Sequence, residues 1–165
     1  MLQPLMSMLL AGAVVAGSAG GIDAVRSTEL EDQHGNSDSL AAHRGEVVVV
    51  MVVTARRLRN LKPWERELRE RFDRLVYLRI ADVPSDSPAD TESVAAKLQE
   101  RVPDDVSVLI DMERIWATAL DLDTDRPNLL LIDRDGELVT SIRGLCVPEL
   151  VQPLVNRTAD LLEQP

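Results

Sequence analysis

Four cations fall within seven residues of the chain: Arg56, Arg57, Arg59 and Lys62. A helix is predicted to begin just after them, because apolar residues recur there at offsets of 3, 4 and 4. The free backbone N–H groups at the amino end of a helix favour anions. The pattern therefore indicates a small anion site, suited to phosphate, a carboxylate or an acidic segment of a partner. The alternative is that Glu65, Glu67 and acidic neighbouring loops neutralise these cations.

Cys146 is the single cysteine of the chain, so no internal disulfide, Cys-x-x-Cys motif or cysteine-based metal site can form. It lies near the predicted start of the last helix, where a thiolate can be activated. This position makes Cys146 a candidate catalytic residue of a one-cysteine peroxidase or thiol-dependent oxidoreductase. Its neighbours Leu145, Val147 and Pro148 are apolar and no histidine is near in sequence, which favours a buried structural cysteine instead.

The composition is that of one acidic globular domain. The 165 residues are 45% hydrophobic and 28% charged, with a formal net charge of −10, so a packed core is expected. A surface of this charge repels the phosphates of nucleic acids and anionic membranes. General polyanion binding is therefore not expected, and solubility accounts for the charge.

The two histidines, His34 and His43, lie near Asp32 and Asp38. Because flexible spacing between the histidines would preorganise no metal ligands, we predict solvated side chains and no metal site. The sequence also lacks the Gly-x-Ser-x-Gly, P-loop and His-Glu-x-x-His motifs, and we predict no cofactor.

Residues 1–20 have the features of an export signal. They carry no charged side chain, and an apolar run is followed by small residues suited to a signal peptidase. The run is shorter than the about 20 residues that a membrane-spanning helix needs, and Ala13 stands where lipidation would require a cysteine. We predict an exported protein, periplasmic or secreted, with no stable membrane insertion after cleavage; an uncleaved signal anchor is the alternative. Residues 21–45 are polar and predict a linker of low order.

Residues 46–165 predict a single α/β domain. Apolar runs predict strands at 47–53, 75–81, 106–110, 128–132 and 137–142, and helical periodicity predicts helices between them and after the last strand. The order is β-α-β-α-β-α-β-β-α, in which helices join parallel strands and an antiparallel hairpin closes the edge. The hairpin turn ends at Gly136, where a positive φ is expected.

The stretch 125–136, which reads DRPNLLLIDRDG, resembles the x-x-P-T-x-x-L-I-D-x-D-G stretch of the thioredoxin superfamily, in particular of its exported TlpA or redoxin-type members. Thr54-Ala55 after the first strand and Gly144 after the last are similar to the family pattern. The resemblance covers residues 46–162 and implies a three-layer α/β/α thioredoxin-like fold with a mixed sheet. It also implies that Pro127 is the family's cis-proline, beside the active loop.

The departure from that family lies in the loop after the first strand. The family's catalytic dithiol belongs there, whereas residues 54–64 read TARRLRNLKPW and contain no thiol. No dithiol exchange can take place in this loop. The sequence therefore favours a non-catalytic, redox-inactive binding or accessory module of the cell envelope, with a protein partner bound around Pro127 and the basic loop. A Cys146-dependent oxidoreductase and a small-anion-binding protein are the alternatives.

Overall fold

The computed structural model describes residues 19–164. Within this range the chain forms the following elements: α1 (Ala19–Arg26), β1 (Leu30–Glu31), β2 (Ser37–Asp38), β3 (Val48–Thr54), α2 (Lys62–Arg69), β4 (Val76–Asp82), α3 (Thr91–Arg101), β5 (Leu109–Asp111), α4 (Ile115–Ala119), β6 (Asn128–Ile132), β7 (Leu138–Arg143) and α5 (Pro148–Glu163). Two 3-10 segments, Leu40–His43 and Ala55–Leu61, precede β3 and α2. From β3 onward the predicted β-α-β-α-β-α-β-β-α order is confirmed.

A five-stranded mixed sheet in the order β5-β4-β3-β6-β7 forms the middle layer. Every residue of the central strand β3 is buried, because helices cover both faces of the sheet, as its continuous β-branched run predicts. Strands β4 and β5 run parallel to β3, whereas β6 is antiparallel to both β3 and β7. The hairpin between β6 and β7 turns at Gly136, whose φ of 82° confirms the expected positive value.

The helices form the two outer layers. One face of the sheet packs against α1 and α4, with Ile22, Val25 and Trp116 in the core. The other face packs against α2 and α5, and α3 covers its β4–β5 side. Helices α2 and α3 thus lie on the same face of the sheet. None of the helices in residues 19–164 is long and apolar enough to cross a membrane.

The expectation of a low-order linker over residues 21–45 is wrong. Ile22 and Val25 of α1 are fully buried against the sheet. Arg26 holds the end of α1 in place, because its Nη2 atom donates hydrogen bonds to the Gly136 carbonyl at 3.0 Å and to Glu137 at 2.7 Å. Gln33 is also buried, and its side chain exchanges hydrogen bonds with the backbone of Val106 and Val108. Most of the predicted signal peptide, residues 1–18, lies outside the described residues.

The expectation of two solvated histidines is wrong for His43. Its ring nitrogens lie 2.9 Å from Asp38 Oδ1 and 3.3 Å from Glu46 Oε2, and the side chain is partly buried. Burial lowers the pKa of His43, but the hydrogen bonds and negative charges of Asp38 and Glu46 outweigh it and raise that pKa. His34, in contrast, is exposed. Among the described residues, no group of three or more His, Cys, Asp or Glu side chains is placed to hold a metal ion.

Candidate functional site

The four predicted cations lie on a 3-10 segment that continues directly into α2. Arg56, Arg57 and Arg59 belong to the segment Ala55–Leu61, and Lys62 is the first residue of α2. The backbone deviates from helical geometry at Arg57, with φ of −118° and ψ of 15°. All four side chains are exposed. Arg56, Arg59 and Lys62 are spaced three residues apart and therefore share one edge of this segment, where the sequence predicts an open loop.

A groove lies between this edge and α3, with a volume of about 630 Å³. Arg56, Arg59 and Lys62 line one wall, whereas Arg57 lies outside it. The opposite wall is α3, which contributes Lys97 and Arg101. We call this cavity the basic groove; besides these five cations and the apolar residues between them, its lining includes the ion pair of Arg79 with Glu65.

The floor and lower walls of the basic groove are largely apolar. They are formed by residues from the 3-10 segment, the end of β4, α3 and the segment that leads into β5: Leu58, Leu61, Val83, Ala89, Val94, Leu98, Val102, Val106 and Val108. Several of these belong to the core cluster under α3.

The cations of the basic groove are not neutralised by the carboxylates that the sequence suggests. Glu65 forms a bidentate ion pair with Arg79 of β4, one hydrogen bond of which is 2.8 Å long. Glu67 pairs with Arg71 at 2.7 Å, on the exposed side of α2. In the described part of the chain, no ion pair joins Arg56, Arg59 or Lys62 to a carboxylate, and the same holds for both α3 cations. The groove therefore keeps an uncompensated positive rim.

Lys97 and Arg101 were missed as site residues in the sequence analysis. The sequence nevertheless contains the signal, because the two cations are spaced i,i+4. Lys97 follows the buried Val94 by three residues, and Arg101 follows the buried Leu98 by three. They therefore share one edge of the helix with the apolar stripe. What the sequence alone did not indicate is that this edge of α3 faces the 3-10 segment across an open groove.

The candidate nucleophile Cys146 lies apart from the groove, between β7 and α5. Its side chain is half-buried and packs at the edge of the cluster formed by α2 and α5. Burial and the negative charge of Glu67 raise the pKa of the Cys146 thiol, although Arg66 and Arg71 act to lower it. The amino end of α5 thus does not make Cys146 a thiolate at neutral pH, which favours the structural alternative.

The expectation that Pro127 is a cis-proline is wrong. The bond before Pro127 is trans, and residues 19–164 contain no cis peptide bond. The Asn128 side chain donates hydrogen bonds to the carbonyls of Asp123 and Arg126, at 2.8 and 2.9 Å, and so holds the turn that leads into β6. Pro127 is buried and does not line the basic groove.

The carboxyl ends of the parallel strands carry structural polar residues. Thr54, Asp82 and Asp111 stand side by side in register. Asp82 is fully buried and accepts a 2.6 Å hydrogen bond from the Thr124 hydroxyl and a longer one from Arg114. Asp111 accepts hydrogen bonds from two backbone N–H groups at the start of α4. These carboxylates have their hydrogen-bond partners within the fold, and we assign them no catalytic role.

Solved structures with the same architecture are thioredoxin-like proteins. The pneumococcal exposed lipoprotein thioredoxin Etrx1 from Streptococcus pneumoniae has a TM-score of 0.64 at 16% identity, over 79% of this chain and 98% of its own. Peroxiredoxin Q from Xanthomonas campestris has a TM-score of 0.59 at 15% identity, over 82% of this chain and 92% of its own. A secreted disulfide oxidoreductase from Mycobacterium tuberculosis has a TM-score of 0.58 at 14% identity, over 84% of this chain and 98% of its own. No protein-family model matches the sequence, and no curated protein matches it. At these identities the likeness establishes the thioredoxin-like fold, as the sequence analysis expected.

Proposed function

We propose that this thioredoxin-like chain is a non-catalytic binding module of the cell envelope. The observation that carries the proposal is the absence of any thiol from the segment between β3 and α2, where four cations stand instead. Fold alone does not supply redox chemistry, because the chemistry belongs to the residues of the site. The envelope location is supported by the signal-like residues 1–20 and by neighbours described as exposed or secreted.

The remaining thiol supports the same proposal. Cys146 has no second cysteine with which to form a disulfide within the chain, and its raised pKa leaves the thiol protonated at neutral pH. A protonated thiol is a poor nucleophile towards a disulfide or a peroxide. Both oxidoreductase and one-cysteine peroxidase activity are therefore disfavoured on the same physical ground.

A pair of activity assays tests this first prediction. The wild-type chain and a Cys146→Ser variant are compared for reduction of insulin by a dithiol and for consumption of hydrogen peroxide. We expect both proteins to stay at the background rate. In parallel, the rate of Cys146 alkylation is followed against pH, and its midpoint is expected above the value of about 8.5 for a free cysteine. Activity that is present in the wild type and lost on substitution would establish the oxidoreductase alternative.

A further inference from the structure

The basic groove combines two properties that a single ligand has to satisfy. Its floor is apolar, formed by buried or half-buried side chains such as Leu58, Leu98 and Val102. The half-buried members of this floor, such as Leu58 and Val102, still expose apolar surface to the groove, and removing such surface from water is worth roughly 25 cal/mol per Å². A simple inorganic anion has no apolar body and would leave the apolar floor in contact with water.

The rim of the groove carries positive charge on both walls. Arg56, Arg59 and Lys62 stand on one wall and Lys97 and Arg101 on the other, in a chain whose net charge is −10. The long stems of Arg and Lys can cover an apolar ligand while their charged ends remain in water. Cations so placed attract an acidic group at the mouth of the groove and disfavour a cationic one.

The size of the groove is that of a small-molecule site. Its volume of about 630 Å³ falls within the roughly 300–1,000 Å³ of ligand pockets, which are mostly apolar with a few polar groups that fix orientation. A stable protein interface instead uses about 800 Å² of surface on each partner. The concave shape favours the smaller ligand.

We propose that the basic groove binds a small anionic amphiphile, with its apolar body on the groove floor and its carboxylate or phosphate group at the cationic rim. This inference rests on the binding role proposed above and adds the chemical class of the ligand. The one carboxylate among the described residues that line the groove, the half-buried Glu65, does not oppose it, because Arg79 already compensates that charge. The apolar body supplies affinity, and the rim supplies the preference for an acid.

Calorimetric titration of the full chain tests the proposal with defined probes. Decanoate and decyl phosphate carry the two head groups on the same apolar chain, and both are expected to bind below their micellar concentrations. Decylammonium is expected to bind at least about tenfold more weakly, because the rim repels it. Acetate and inorganic phosphate, which lack the apolar body, are expected to give no measurable heat. Decanoate binding should weaken as the ionic strength rises, since the rim is exposed to solvent.

Matched variants assign the binding to this groove. The double substitution Arg59→Ser and Lys97→Ser removes one cation from each wall and is expected to weaken decanoate binding by about tenfold. The control, Arg44→Ser with Arg157→Ser, changes the net charge equally at two exposed positions outside the groove and is expected to leave binding unchanged. Ala89→Trp places a large ring in the groove and should abolish binding, whereas Ala96→Trp, on the exposed side of α3, should not.

Three outcomes would overturn the proposal. Equal binding of decanoate and decylammonium would show an apolar site without a preference for acids. Equal effects of the groove variants and their controls would place the ligand elsewhere. Binding of an acidic peptide by the wild type, with no binding of either amphiphile, would assign the groove to a polypeptide. None of these results depends on Cys146, so failure of this inference is distinguishable from failure of the non-catalytic role.

Discussion

Arg79 lies on β4 with 9% of its surface exposed, and its guanidinium donates two hydrogen bonds to the carboxylate of Glu65 on α2. The pair joins the helix to the sheet and lines the basic groove. Removing one partner of a buried ion pair strands the other charge away from water. We therefore expect Glu65→Gln to lower the free energy of unfolding by about 3 kcal/mol, measured by urea denaturation.

The matched control for this substitution lies two residues away on the same helix. Glu67 pairs with Arg71 at 2.7 Å, but that arginine is far more exposed than Arg79. Glu67→Gln is expected to lower the free energy of unfolding by less than about 1 kcal/mol, because solvent screens an exposed pair. If the two variants lose the same stability, the Glu65–Arg79 pair does not have the special role that its burial indicates.

At the scale of elements, α1 is the part of the fold that differs most from the sequence-based expectation. Its inward residues Ile22 and Val25 have no exposed surface. Ile22→Ala is therefore expected to lower the free energy of unfolding by about 2–4 kcal/mol, through lost apolar contact and the cavity left behind. Ala24→Ser, at an exposed position of the same helix, should change it by less than about 0.5 kcal/mol. If both substitutions leave the free energy of unfolding nearly unchanged, residues 21–45 would again be interpreted as a linker without fixed packing.

The success and failure of the sequence-based predictions follow from the length of each element. The seven-residue run of β3 and the long apolar stripe of α5 are unambiguous signals, so the mixed α/β class and the order of elements along the chain could be predicted. Helix α1 has eight residues and buries only a small stripe, and β1 and β2 have two residues each. Elements this short lack periodicity and are recognisable only from their tertiary contacts.

Only part of the candidate site could be predicted from the sequence. Arg56, Arg59 and Lys62 are clustered in sequence and were identified from it, whereas Lys97 and Arg101 are distant in sequence and join them only through the packing of α3. The expected cis form of Pro127 came from family resemblance. Local hydrogen bonds of Asn128, which the resemblance does not describe, accompany the trans form instead.

For the whole molecule, two groups set opposite limits on stability as the pH changes. The pKa of His43 is raised in the fold, so its contribution is complete below its ordinary value of 6.5 and is lost as the pH rises through the raised pKa. Burial acts to raise the pKa of Asp32, but hydrogen bonds from Asn36, His34 and Ser107 lower it overall. That contribution is present above the ordinary value of 3.8 and is lost as the pH falls through the lowered pKa. Both contributions are therefore complete between about pH 4 and pH 6.5.

The two histidines of the chain allow this dependence to be measured against an internal control. His43 connects Asp38 at the end of β2 with Glu46 just before β3, so its protonation couples the amino-terminal segment to the central sheet. His43→Gln is expected to lower the free energy of unfolding by up to about 1 kcal/mol at pH 5.5 and by much less at pH 8.5. His34→Gln, at an exposed ring, should have little effect at either pH. A loss for His43→Gln that is the same at both pH values would mean that packing of the ring, and not its charge, stabilises this connection.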